Sequence, residues 1–129
     1  MTKHDHIKHW LTTAEEDLIT MNLLYKEGRY THSLFFGHLY IEKICKALWI
    51  KNNISNTPPY IHNLLKLLYG IESGLTDDQL IFLEQLNEYQ LSGRYPNYTD
   101  TLKKRTSREL TMLYINKINE IDICLRQKL

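Results

Sequence analysis

The chain has 129 residues, 43% of them apolar and 24% charged, with a formal net charge of +1. That length and composition suit one folded domain over residues 1–129 and exclude a disordered polyelectrolyte. Near-neutral charge excludes a global pull toward nucleic acid or an anionic membrane, so any such binding needs a local patch.

His4, His6 and His9 stand close to the start, but only His6 and His9 share a helical face. A solvated helix start is the reading adopted there, and no metal is expected. From about Asp5 to Glu27, Ile7, Trp10, Leu11, Ala14, Leu18, Met21, Leu24 and Tyr25 recur at spacings of three and four, which predicts a long amphipathic helix. Asp17 falls at the edge of its apolar face, where a carboxylate needs a partner. Gly28 is the expected C′ residue.

Tyr30 to Lys51 follows after a tight turn, so it should run antiparallel to the first helix. At about 100° per residue its apolar side chains cover most of the circumference. His38, Glu42 and Lys46 share one ridge at i, i+4 and i+8, with Lys43 beside it. Such a helix must be packed from more than one direction, which makes it the expected centre of the fold. A second apolar arc (Phe35, Leu39, Trp49, Ile50) is a candidate surface for a dimer or for the short segment that follows.

Asn52, Asn53, Ser55, Asn56 and Pro58-Pro59 break the pattern. Thr57 is read as the N-cap of a short helix from Tyr60 to about Ile71, with His62 near its start. Thr76-Asp77-Asp78-Gln79 is a capping box that opens a fourth helix reaching about Leu91. After Gly93, Arg94 to Asp100 (RYPNYTD) reads as a polar, aromatic loop. Thr106 with Glu109 is read as a further capping box, opening a last helix that runs to about Gln127. No strand pattern or repeat occurs, and the fold class is all-α.

The start, MTKHDHIKHW, lacks the apolar core of a secretory leader, and no apolar run approaches the roughly 20 residues of a membrane span. Cys45 and Cys124 lack metal spacing and read as small buried thiols of a reducing compartment. The expected location is the cytoplasm, with no membrane contact. No glycine-rich phosphate loop, nucleophile elbow, H-E-x-x-H or cysteine-pair zinc motif is present, so no cofactor is expected.

Several patches together resemble the HEPN domain family. Trp10-x3-Ala14-x2-Asp17-Leu18 is similar to its first-helix signature. Gly28-x-Tyr30, Phe36 and Glu42-Lys43-x2-Lys46-Ala47-Leu48 are similar to its second. His62-Asn63-Leu64-x2-Leu67 resembles a motif usually written with Asp after His, and Tyr89 with Arg94-Tyr95-Pro96-Asn97 resembles its Y…RYP element. The patches come in order over nearly the whole chain. The middle of the second helix departs from the pattern, with His38 and Leu39 where relatives often carry glutamines.

The resemblance implies an up-and-down bundle of four long helices plus a short one, a homodimer, and company with a small nucleotidyltransferase subunit in a two-component, toxin–antitoxin-like module. Many relatives are metal-independent ribonucleases that use Arg and, after four to six intervening residues, His. Here those positions after Arg94 hold Thr99, Asp100 and Thr101, and no His follows His62. Cleavage needs a proton-transfer group beside the phosphate-holding cation, so no catalytic residue is assigned. The leading expectation is a non-catalytic or degenerate subunit that binds a nucleotide, an RNA or a nucleotidyltransferase partner. Asp17, Glu42, Lys43, Lys46, Arg94 and Tyr95 are its candidate ligand-binding residues. The charges among them have a second reading as structural ion pairs within the bundle. Two alternatives stand beside it: an RNase toxin using Arg94 with His62 or a tyrosine, and a purely structural or adaptor homodimer.

Overall fold

Thr2 opens the first helix. Its hydroxyl accepts from Asp5 N–H, while the Asp5 carboxylate accepts from Thr2 N–H at 2.9 Å, a reciprocal capping box. In this computed structural model, which describes residues 1–92 and 94–129, helix α1 spans Lys3–Lys26. It ends in a Schellman motif: Arg29 N–H reaches Leu24 C=O at 2.8 Å and Gly28 N–H reaches Tyr25 C=O at 3.1 Å. Gly28 has φ +73°, a left-handed conformation that any side chain would strain.

Helix α2 (Tyr30–Asn52) then runs back along α1. The turn and the antiparallel pairing are as the sequence predicts. Lys3 fixes the far end, where its ammonium donates to the carbonyls of Ile50 and Asn53 at 2.9 and 2.8 Å, at and just beyond the last turn of α2. A cation there complements the orphan carbonyls and the helix dipole.

Helix α7 (Arg108–Arg126) lies parallel to α2, because its terminus meets Lys51 Nζ through Lys128 C=O at 2.7 Å. Helix α4 (Asp77–Leu86), opened by the predicted Thr76–Gln79 capping box, runs antiparallel to α7, with Phe82 edge-on to Tyr114 at 4.9 Å. These helices enclose one core in which Met21, Leu34, Ile41, Ile44, Leu48, Leu83, Leu86, Ile118 and Ile121 are buried. The architecture is all-α, with α2 at its centre.

Four local expectations are corrected. The short helix α3 covers only Leu64–Leu68, and its N-cap is Asn63, whose side chain accepts from Leu65 and Lys66 N–H; Thr57 caps nothing. The fourth helix does not reach Leu91 unbroken. It stops at Asn87, and a single turn, α5 (Tyr89–Ser92), follows. The expected loop after Gly93 is largely helix α6 (Pro96–Arg105), with Pro96 in its first turn and Lys103, Lys104 and Arg105 in its last. Gly93 itself lies outside the described residues. The N-cap of α7 is Ser107, whose hydroxyl accepts from Leu110 N–H; the Thr106 hydroxyl instead pairs with Tyr89 OH at 2.7 Å in the interior.

At Gly37, side chains of α1 and α7 press against the backbone of α2. A Cβ there would meet Ile118 Cδ1 at 2.7 Å and Met21 Sδ at 3.0 Å. Gly37→Leu should therefore destabilise the fold by about 1–3 kcal/mol through overpacking, read as a lower midpoint in urea unfolding. An unchanged midpoint would show that α1 and α7 yield at this position.

Candidate functional site

The polar strip of α2 is buried. Glu42, 4% exposed, holds Lys46 Nζ at 3.1 Å through Oε2 and His62 Nδ1 at 3.0 Å through Oε1. A carboxylate so deep is compensated only because both oxygens meet donors. Lys46 is itself buried and lies over the Trp10 ring of α1, 5.4 Å from its centre. On the α1–α2 seam, Asp17 Oδ2 meets Lys43 Nζ at 2.7 Å as a charge contact without hydrogen-bond alignment.

His38 continues the strip toward α4. Asn87 Oδ1 accepts from Leu64 N–H at 3.0 Å, and Asn87 Nδ2 reaches Asn63 Oδ1 at 3.3 Å, which fixes the orientation of the amide. His38 Nε2, 3.2 Å from that same Oδ1, must then be the protonated nitrogen. Burial holds the ring neutral and pushes its pKa down to about 4, against the raising effects of Glu42 and Asn87. One network thus joins α2 to α1, α3, α4 and the segment before α3. Cys45, deeper in α2, has its thiol pushed up by burial, which keeps it an inert core group.

Arg94 and Tyr95 stand elsewhere. The Arg94 guanidinium lies over the Phe35 ring at 5.7 Å, near the start of α2, and Tyr95 packs edge-on against Tyr98 at 6.3 Å. Arg94 makes no ion pair among the described residues. This end of the bundle gathers the C-terminus of α1, the N-termini of α2 and α7, and all of α6. It carries Lys26, Arg29, Arg94, Lys103, Lys104, Arg105 and Arg108 against Glu27, Glu88, Asp100 and Glu109, so cations prevail locally in a chain of net charge +1.

The candidate residues therefore fall into three groups. Asp17 with Lys43, and Glu42 with Lys46, are paired charges within the bundle, and His62 belongs to the second pair. Arg94 and Tyr95 form a separate, exposed group. Phe35 and Glu42 lie two turns apart on one ridge of α2, about 10 Å along its axis, so Arg94 and His62 flank the same ridge at different levels.

Sequence reasoning missed Asn63, Asn87, Tyr98 and the basic turn of α6. Read as a helix, Arg94, Tyr98, Thr101 and Arg105 recur at spacings of three and four, and that period was the available signal. Among the described residues no helix is long and apolar enough to cross a membrane, and no three His, Cys, Asp or Glu groups are placed to hold a metal ion.

A family model for the HEPN domain matches residues 7–121. The fold is similar to the crystal structure of TT1696 from Thermus thermophilus, with a TM-score of 0.79, 18% identity, and coverage of 95% of this chain and 98% of that one. No curated protein matches the sequence.

The neutral His38 makes the fold acid-sensitive. Its folded pKa, about 4, lies below the ordinary 6.5, so between those values the unfolded chain binds the proton that the folded chain refuses, and stability falls as pH falls. The wild type should lose about 3 kcal/mol more than His38→Gln between pH 7 and pH 4 in denaturant titrations. Equal losses would assign the acid sensitivity to other groups.

Proposed function

This chain belongs to the HEPN domain family, and we propose that it is a binding subunit which grips a phosphate-bearing ligand, RNA or a nucleotide, without cutting it. The observation that carries this reading is the contrast between two sets of cations. Lys43 and Lys46 face carboxylates at 2.7 and 3.1 Å, whereas Arg94 lies exposed at the cationic end beside Tyr95. An arginine with its fork open to solvent can take a phosphate through two parallel hydrogen bonds. Tyr95, 54% exposed, offers a ring on which a base or sugar can stack. Lys103, Lys104 and Arg108 add a sequence-independent attraction that salt weakens.

In this reading Asp17, Glu42, Lys43 and Lys46 serve the bundle, and the ligand residues are Arg94 and Tyr95. Family membership also supports a homodimer, and a small nucleotidyltransferase subunit in a two-component, toxin–antitoxin-like module, as the protein's company. Fluorescence anisotropy with a labelled single-stranded RNA tests the binding. Arg94→Ala should weaken it about tenfold and flatten its dependence on salt. An Arg94→Ala protein that binds as well as wild type would remove the reading.

A second reading, metal-independent RNA cleavage by Arg94 with His62, has one observation in its favour. With Nδ1 held by Glu42, the His62 imidazole keeps Nε2 as a proton acceptor on a half-exposed side chain. Against it stands the separation of His62 and Arg94 by two turns of α2. Purified protein should leave RNA intact over hours. Cleavage abolished by both His62→Ala and Arg94→Ala would instead establish the enzyme.

A further inference from the structure

Helices α5 and α6 enclose a hollow of about 300 Å³ at the cationic end of the bundle. That volume is at the lower limit of ligand clefts and suits a single flat heterocycle. Leu91 and Leu102 supply its apolar lining, Tyr98 stands along it, and Glu88 and Arg105 pair across its rim. Tyr98 is 51% exposed, so its ring remains available for stacking.

The Glu88–Arg105 pair is exposed on both sides, and exposed pairs contribute little to folding. Glu88 Oε2 meets Arg105, while Oε1 has no hydrogen-bond partner among the described residues. An ionised carboxylate only accepts hydrogen bonds. Among the four RNA bases, guanine alone presents two adjacent donors, N1–H and the N2 amino group, on its pairing edge. Adenine, cytosine and uracil each place an acceptor beside their donor, which a carboxylate repels. Arg105 lines the hollow, so a cation stands where a neighbouring phosphate of a strand would run, while Arg94, four residues before Tyr98 in the sequence, lies over Phe35 of α2.

We infer that this hollow is a guanine subsite for single-stranded RNA: Tyr98 stacks on the base, Glu88 accepts from its N1–H and N2 amino groups, and Arg105 holds a flanking phosphate. The inference deepens the RNA reading of this end and rests on it. It makes Glu88 the residue that sets specificity, whereas Arg94 sets affinity.

Three labelled heptanucleotides test it: heptaadenylate, the same strand with one central guanosine, and the same strand with central inosine, which lacks the N2 amino group. Wild type should bind the guanosine strand about tenfold more tightly than heptaadenylate, with inosine between them. Glu88→Gln, at a half-exposed position, should erase that preference, so that the guanosine and inosine strands bind the variant no more tightly than heptaadenylate does. Equal binding of all three strands, with a persisting loss in Arg94→Ala, would overturn the guanine subsite and leave the RNA reading standing. Absence of binding to any strand would overturn both.

Discussion

The Glu42 carboxylate, 4% exposed in the most buried helix of the fold, is the constraint on which the rest depends. A buried anion costs several kcal/mol unless it is paired, so its neighbours are dictated. Lys46 must lie along α2 to reach Oε2, and it then covers the Trp10 ring of α1. His62 must come to Oε1, which draws the segment before α3 onto α2. With Oε1 taken, His38 turns its proton toward Asn87, and Asn87 stands where α4 ends and binds the first amide of α3. Ion pairs so deep gain little over apolar packing of the same volume. Their effect is on register. A slip of α2 by one turn would strip Glu42 of His62 and leave His38 without an acceptor.

How much of this was legible in the sequence follows the strength of the local signals. The boundaries of α1 and α2, the turn at Gly28 and the Thr76 capping box came through because period, cap and glycine agree there. Helix α6 did not, because Leu102 is its one buried residue and RYPNYTD carries turn-forming residues in place of an apolar stripe. The exchange of Thr106 for Ser107 at the start of α7 has the same cause. Both hydroxyls suit an N-cap, and only the tertiary partner of Thr106, the Tyr89 hydroxyl, separates them. Within the candidate site, the i, i+4 row of His38, Glu42 and Lys46 was readable as a strip. Its pairing with His62 and Asn87 was not, since those residues lie twenty to forty-nine positions away in sequence.

The fold thus separates two uses of charge. Along the middle of α2 the charges face one another, so an incoming phosphate would have to displace a carboxylate from Lys43 or Lys46 and leave an anion stranded. At the end that holds α6 the cations stand in solvent on an element with little buried surface, which lets side chains adapt to a flexible strand. Binding a polyanion at the second place leaves the stabilising pairs at the first intact.

The same separation bears on why binding fits this chain better than cleavage. Transfer at an RNA phosphate asks for a proton acceptor within hydrogen-bond reach of the attacking hydroxyl while a cation holds the phosphate beside it. Arg94 meets the second requirement, and the helical residues that follow it, Thr99, Asp100 and Thr101, bring no imidazole into its neighbourhood. His62 has the chemistry but is fixed to Glu42, and moving it toward Arg94 would strip the buried carboxylate of one of its two partners. The interaction that secures the core is therefore the one that holds the imidazole away from the phosphate. A binding surface needs no such reach, only cations and rings in solvent, and α6 with Arg94 provides both.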